Sequence, residues 1–242
     1  MAALDVVLEH RDFVVINKPA GIAVHGHEDI TLLDQVREGF GRCDMHPVHR
    51  LDLATSGLVI FAKTPSANST FCRAFAARAI DKLYLALSAS KANKKRGWVK
   101  GDMAKARGGS YKLLRSQRQP ATTYAISSGA PNQPRLWWLR PTTGKTHQLR
   151  VALKSLGAPI LGDRRYGGAS ADRLYLHAWG LRFSYQNNVF DLHAAPTSGR
   201  FFTDIMQSGR LDQAGDPWLL DWPSSFAAAL PPAITFEQLD DI

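Results

Sequence analysis

The chain has 242 residues, 45% of them apolar and 21% charged, with a formal net charge of +9. That length suits one domain or two small ones; no apolar run approaches the ~20 residues of a membrane span, and Met1 to Glu9 lack the marks of a secretory leader, so a cytoplasmic protein is expected. Two cysteines, Cys43 and Cys72, and eight scattered histidines without an HExxH arrangement argue against a disulfide framework and against a metal site.

In chain order, Phe13 to Ile16 form a β-branched, strand-like run that stops at Asn17-Lys18-Pro19-Ala20-Gly21. Thr31 and Asp34 frame a helix start, Leu32, Leu33 and Val36 give it an apolar face, and Gly39 or Gly41 ends it. Leu58 to Ala62 is wholly apolar, as in a buried strand. Pro65-Ser66 opens a second helix carrying Phe71, Ala74, Phe75 and Ala79 at helical spacing, and Leu83 to Leu87 returns to strand.

The stretch Lys91 to Arg118 holds ten basic residues against one acid, Asp102, and its glycines predict loops and short strands. Ala121 to Ile126 and Arg135 to Leu139 predict a pair of strands joined by a turn. Thr146 is the expected cap of a third helix with Leu149, Leu153 and Leu156 on one face and Gly157 at its end. Leu174 to Leu176 and Leu181 to Tyr185 complete the strands. Strands outnumber helices and follow one another directly, which predicts an α+β fold with a largely antiparallel mixed sheet and flanking helices.

Charge divides the chain further. Met206 to Ile242 carries one basic and six acidic residues, which leaves +14 on the rest and points to an anionic partner, nucleic acid first. Residues 1–207 are therefore expected to be the functional domain and 208–242 an acidic, proline-containing tail.

Three polar segments abut apolar elements: His49 to Gly57, Lys82 to Ala86, and Gly144 to Arg150. The first sets a cation beside a carboxylate ahead of a buried strand, and such a carboxylate needs a partner to stay charged. Arg150 is one candidate, and a purely structural ion pair is an equally physical outcome. Gly144-Lys145-Thr146 is not a phosphate loop, because the first glycine of GxxxxGK[ST] falls on Leu139. Thr55-Ser56-Gly57 lacks the GxSxG elbow of serine hydrolases.

HRLDLATSG at 49–57 resembles the segment that carries the catalytic aspartate of RluA-type pseudouridine synthases. The resemblance runs from about Asp12 to Ala195 through several motifs in order: Val15 to Gly21 with His25, Lys82-x-Tyr84-x-Ala86, GKTHQLR at 144–150, Gly157 to Asp163 with Tyr166-Gly167, and Leu176 to Ala178. It implies the pseudouridine synthase fold with the active site in a central cleft, and isomerisation of a uridine in RNA without cofactor, nucleotide or metal.

Residue by residue, the resemblance implies that Asp52 is the catalytic carboxylate, that Arg150 pairs with it, and that Tyr84 faces the flipped base. Arg50 would help displace the target nucleotide, and Leu149 would pack against the uracil. Lys145 stands where the family commonly has arginine, keeping a phosphate contact without the planar fork, and Ala152 stands where it often has histidine. His25, His49, His147 and His177 are expected to be structural.

The expected partner is a stem-loop of transfer or ribosomal RNA, bound by a monomer. With no recognisable S4-type segment ahead of the motifs, Lys94, Lys95, Arg96 and Lys100 are the expected phosphate contacts. A decayed, non-catalytic RNA binder would have lost one of Asp52, Tyr84 or Arg150, and all three are present. A metal-dependent nuclease would need paired carboxylates that the chain does not offer.

Overall fold

A computed structural model describes residues 3–26, 30–212 and 215–226. They group into two compact units, one drawn from Met1–Asp81 and Ala178–Ala195, the other from Lys82–His177 and Pro196–Ala227.

The first unit opens with β1 (Val6–Glu9) and β2 (Phe13–Lys18), then α1 (Leu32–Phe40), β3 (His46–Pro47), β4 (Ser56–Ala62) and α2 (Pro65–Ala76). The apolar run at 58–62 lies within β4, all seven residues of which are buried. β4 pairs antiparallel with β2 from Phe13↔Ala62 to Lys18↔Gly57. Thr31 and Asp34 make the expected capping box on α1, and Gly41 closes it in the left-handed region at φ 60°. Thr64 caps α2, which stops at Ala76; Arg78 turns left-handed at φ 60°, so Ala79 lies beyond the helix although it still packs on the core.

The second unit contains β5 (Asp81–Ser88), β6 (Arg96–Gly101), β7 (Met103–Lys105), β8 (Tyr111–Leu113), β9 (Ala121–Ser128), β10 (Arg135–Pro141) and α3 (Gln148–Ser155). Its sheet runs β5-β10-β9-β6, every pair antiparallel. β7 and β8 form a separate two-stranded ribbon within the basic stretch. Gly101, at the root of that ribbon, has no room for a side chain, since a Cβ there would meet the Leu114 carbonyl at 2.2 Å.

The chain then enters β11 (Leu176–Tyr185), one ten-residue strand where two short ones were expected. β11 turns through Gln186 and Asn187, both left-handed, into β12 (Asn188–His193), a two-residue hairpin loop that suits the strand twist. Residues 178–185 bring Leu181, Phe183 and Tyr185 into the first unit's core, where Phe71 and Tyr185 stack at 5.1 Å. Gly57 sits against that strand: a Cβ would meet the Ala178 backbone at 2.3 Å.

A further helix, α4 (Arg200–Gln207), belongs to the second unit and buries Phe202 and Ile205. Of the expected tail, the described residues 208–212 and 215–226 also pack with the second unit. Trp218 is buried, and the Arg140 guanidinium on β10 lies 5.2 Å from the rings of Trp218 and Trp222 and 4.1 Å from that of Phe226. Residues 213, 214 and 227–242 of that tail lie outside the described residues. Among the described residues no helix is long and apolar enough to cross a membrane.

Candidate active site

In the first unit, the loop from Val48 to Thr55 carries Asp52 and is fastened by its backbone. The Val48 amide donates to the Ile60 carbonyl at 3.2 Å, and the Ile60 amide donates to His49 Nε2 at 3.0 Å. The His49 ring rests on Phe75 at 4.5 Å. The Thr55 amide donates to the Asp52 carbonyl at 3.0 Å, closing a turn around the carboxylate residue.

The other anchor comes from the end of β2. Lys18 has no exposed surface, and its ammonium donates to the carbonyls of Pro19 at 2.9 Å, Ile22 at 2.8 Å and Leu53 at 3.2 Å. The Gly21 amide adds a bond to the same Leu53 carbonyl at 2.9 Å. Asp52 is half-buried between buried Leu51 and exposed Leu53, and Arg50 is exposed.

In the second unit, Tyr84 is half-buried on β5 between fully buried Leu83 and Leu85, opposite Leu139 of β10. Register continues that row through Ala125 of β9 to Gly97 of β6. α3 packs on the same face. Gln148 donates to Thr123 Oγ1 at 2.9 Å and to the Thr122 carbonyl at 3.1 Å, and its Oε1 accepts from Thr143 Oγ1 at 2.7 Å and the Lys145 amide at 3.0 Å.

This glutamine organises the start of the helix, so Thr146 is not its cap. The N-terminal flank is His147, in the left-handed region at φ 57°, with no side-chain cap bond. Leu149 is buried and Lys145 exposed.

Arg150 is buried and makes a bidentate pair with Asp163: Nε to Oδ2 and Nη2 to Oδ1, both 2.8 Å. Asp163 is a partner of Arg150 that the motifs did not single out. The only written sign of it was the Gly162-Asp163-x-x-Tyr166-Gly167 motif. Gly162 is required there, because φ is 81° and a Cβ would meet the Arg173 carbonyl at 1.7 Å.

The four expected phosphate contacts separate in space. Arg96 and Lys100 stand at odd offsets from Gly97, so they project from the face opposite Tyr84. On that face Arg96 pairs with Asp221, and the Lys100 ammonium lies 4.5 Å over the Trp98 ring. Trp98 in turn stacks on Phe226 at 5.3 Å. Lys94 and Lys95 are exposed beside the end of α3, where the Asn93 amide donates to the Leu156 carbonyl at 2.9 Å.

The β7–β8 ribbon lies at the other end of α3, its Tyr111 amide donating to the Tyr166 hydroxyl at 2.9 Å. Lys105, Arg107 and Lys112 on it are exposed. The ribbon's root is tied by Asp102, whose carboxylate accepts from the amides of Arg118 at 3.0 Å and Gln119 at 2.8 Å. A hydrogen bond from Ser116 and those amides hold the Asp102 carboxyl below the usual range.

Residues 12–155 match the family of RNA pseudouridylate synthases. The chain is 46% identical over 202 residues to an uncharacterized RNA pseudouridine synthase of Haemophilus influenzae, covering 82% of this chain and 90% of that protein. It is 36% identical to the dual-specificity RNA pseudouridine synthase RluA of Pasteurella multocida, covering 75% of this chain and 87% of the relative. Among solved structures, human RNA pseudouridylate synthase domain containing 1 superposes with a TM-score of 0.68 at 29% identity, over 79% of this chain and 83% of that one. The motifs, the α+β fold and these likenesses agree: the chain belongs to the RNA pseudouridylate synthase family, which isomerises uridine to pseudouridine in RNA.

Proposed function

We propose that Asp52 is the catalytic carboxylate, with Tyr84 and Arg150 serving the same reaction, and that the substrate is a uridine in a compact stem-loop of transfer or ribosomal RNA. The observation that carries the assignment is the loop itself: Lys18 and His49 clamp its backbone while Asp52 stays half-buried.

Isomerisation breaks the N1–C1′ bond, turns the uracil, and joins C5 to C1′. The proton on C5 then leaves and N1 gains one, so no redox partner or group donor is consumed. An ionised carboxylate serves as a nucleophile at C1′ or as a base in a glycal route.

The uridine must first leave its stack, at a cost of a few kcal/mol. Arg50, exposed beside Asp52, would take part in that displacement, Tyr84 would offer the base a ring face, and Leu149 an apolar contact. Arg150, held by Asp163, would serve the same reaction, as the family resemblance implies.

The grip on RNA falls to the Tyr84 face of the second unit. Lys145, Lys94 and Lys95 flank α3, and Lys105, Arg107 and Lys112 extend from the ribbon. The same reading has the enzyme act as a monomer in the cytoplasm. Pseudouridine mapping of total RNA from a deletion strain and its parent tests the substrate class. Loss of one or a few positions in paired-stem loops of transfer or ribosomal RNA is expected, and identical maps would refute the proposal.

A further inference from the structure

We propose that Tyr166 is a positioning residue with two separable jobs: its ring supports Arg150 from one face, and its hydroxyl ties the basic β7–β8 ribbon to the start of α3. The inference rests on the reading above that Arg150 serves the isomerisation.

Tyr166 is buried at the end of a single 3₁₀ turn, Arg164–Tyr166. The turn is braced by its own backbone, with the Gly168 amide donating to the Asp163 carbonyl at 2.8 Å and the Tyr166 amide to the same oxygen at 3.2 Å. Two groups from this one short segment therefore reach Arg150. Asp163 grips the guanidinium along its edge, and the Tyr166 ring lies under it at 5.0 Å. A planar, delocalised cation is suited to being held along an edge and across a face at once, and a lysine is not. The Lys154 ammonium shares the ring at 5.6 Å.

The hydroxyl faces elsewhere. It accepts from the Tyr111 amide of β8 at 2.9 Å and lies 2.9 Å from His147 Nδ1. The oxygen accepts from the amide, and its hydrogen bond with Nδ1 joins it to the His147 ring as well. Burial pushes the Tyr166 hydroxyl above its ordinary pKa, which keeps its proton in place. His147 itself adopts a left-handed conformation that non-glycine residues seldom take, directly before α3. Tyr111 and Tyr166 both approach the His147 ring edge-on at 5.7 Å.

Phenylalanine would fill the same space, so packing alone does not call for the oxygen. The oxygen's two partners are the ribbon's backbone and the residue that opens α3, two positions ahead of Leu149 and three ahead of Arg150. RNA held by Lys105, Arg107 and Lys112 would thus be placed relative to Arg150 in part through this side chain, beside the bond from Arg165 to the Gly108 carbonyl of the ribbon turn.

The test is steady-state kinetics of the full chain on unmodified total RNA from a deletion strain, with filter-binding affinity for the same RNA and thermal melting as controls. Tyr166→Phe should raise KM and Kd about tenfold, as for one net hydrogen bond, while kcat stays within about twofold because the ring remains. Asp163→Asn should do the reverse, lowering kcat by about tenfold or more with KM little changed. Tyr166→Leu should show both losses.

Wild-type KM and Kd in Tyr166→Phe would overturn the hydroxyl's role. Equal kcat in the Phe and Leu variants would overturn the ring's role. Wild-type kcat in Arg150→Lys would instead sink the reading of Arg150, and the ring's role with it, while leaving the binding result to stand on its own.

Discussion

Lys18 is one of the residues that fix the geometry of the Asp52 loop. Its ammonium is fully buried and ends on three carbonyls, one of which, Leu53, adjoins the carboxylate residue. Lys18→Met keeps the length of the stem and removes the donors. It should cost about 1–3 kcal/mol, the penalty of stranding buried acceptors, and lower kcat more than RNA affinity. Chemical denaturation and single-turnover rates check this, and unchanged stability would contradict it. The sequence showed this lysine only as part of an opening motif. The motifs drew attention to Asp52, Tyr84 and Arg150, but not to the buried carboxylate that grips Arg150. Asp163 lies thirteen positions on, past the end of α3, and only the Gly162 turn brings its carboxylate back to the guanidinium.

Among elements, those whose ends are specified locally were read well. Thr31, Asp34 and Gly41 specify α1 without help from the rest of the chain. The hydrogen bonds from the Thr31 hydroxyl and amide hold the Asp34 carboxyl below its ordinary value. Its stabilising effect is thus complete above the unfolded carboxylate pKa and fades as pH falls through the lowered folded value. Asp34→Ala should cost about 0.3–1 kcal/mol at pH 7 and progressively less in acid, as read by melting temperature across pH. A cost that grows in acid would contradict the capping box.

Elements specified by tertiary contacts were misread. α3 begins after Thr146 because Gln148 bonds back to β9, and β11 runs unbroken from Leu176 to Tyr185, with β12 paired beside its Gly180 to Tyr185 half. β12 and α4 went unseen, their short patterns being half exposed.

Strand parity also divides the basic stretch. Arg96 and Lys100 share a face with Trp98 and the C-terminal rings, whereas the ribbon cations share the α3 side. Replacing Lys105, Arg107 and Lys112 with Gln should flatten the dependence of log affinity on log salt more than replacing Arg96 and Lys100. The opposite order would move the RNA footprint to the far face.

For the whole molecule, charge composition marks the partner class more clearly than the boundaries of the packed structure. The basic body matches a family that acts on RNA. The acidic C-terminal stretch, read as an appended tail, packs with the second unit as far as residue 226, caging Arg140 with three aromatic rings. Acidic composition therefore marked a change of chain character without marking the end of the packed structure. The substrate's form is decided at this scale too, because readers of RNA sequence target loop bases that are already weakly stacked. Turnover on a stem-loop containing the mapped uridine should exceed turnover on the same loop sequence unpaired, and equal turnover would contradict a stem-loop substrate.

The central claim is that Asp52 performs the chemistry. The most direct measurement is pseudouridine formation by purified wild-type and Asp52→Asn protein on RNA from the deletion strain, with RNA affinity measured alongside. The account predicts product at the mapped position with the wild type, and none above background with Asp52→Asn although its affinity stays within about tenfold. Near wild-type product formation by the Asn variant would contradict it.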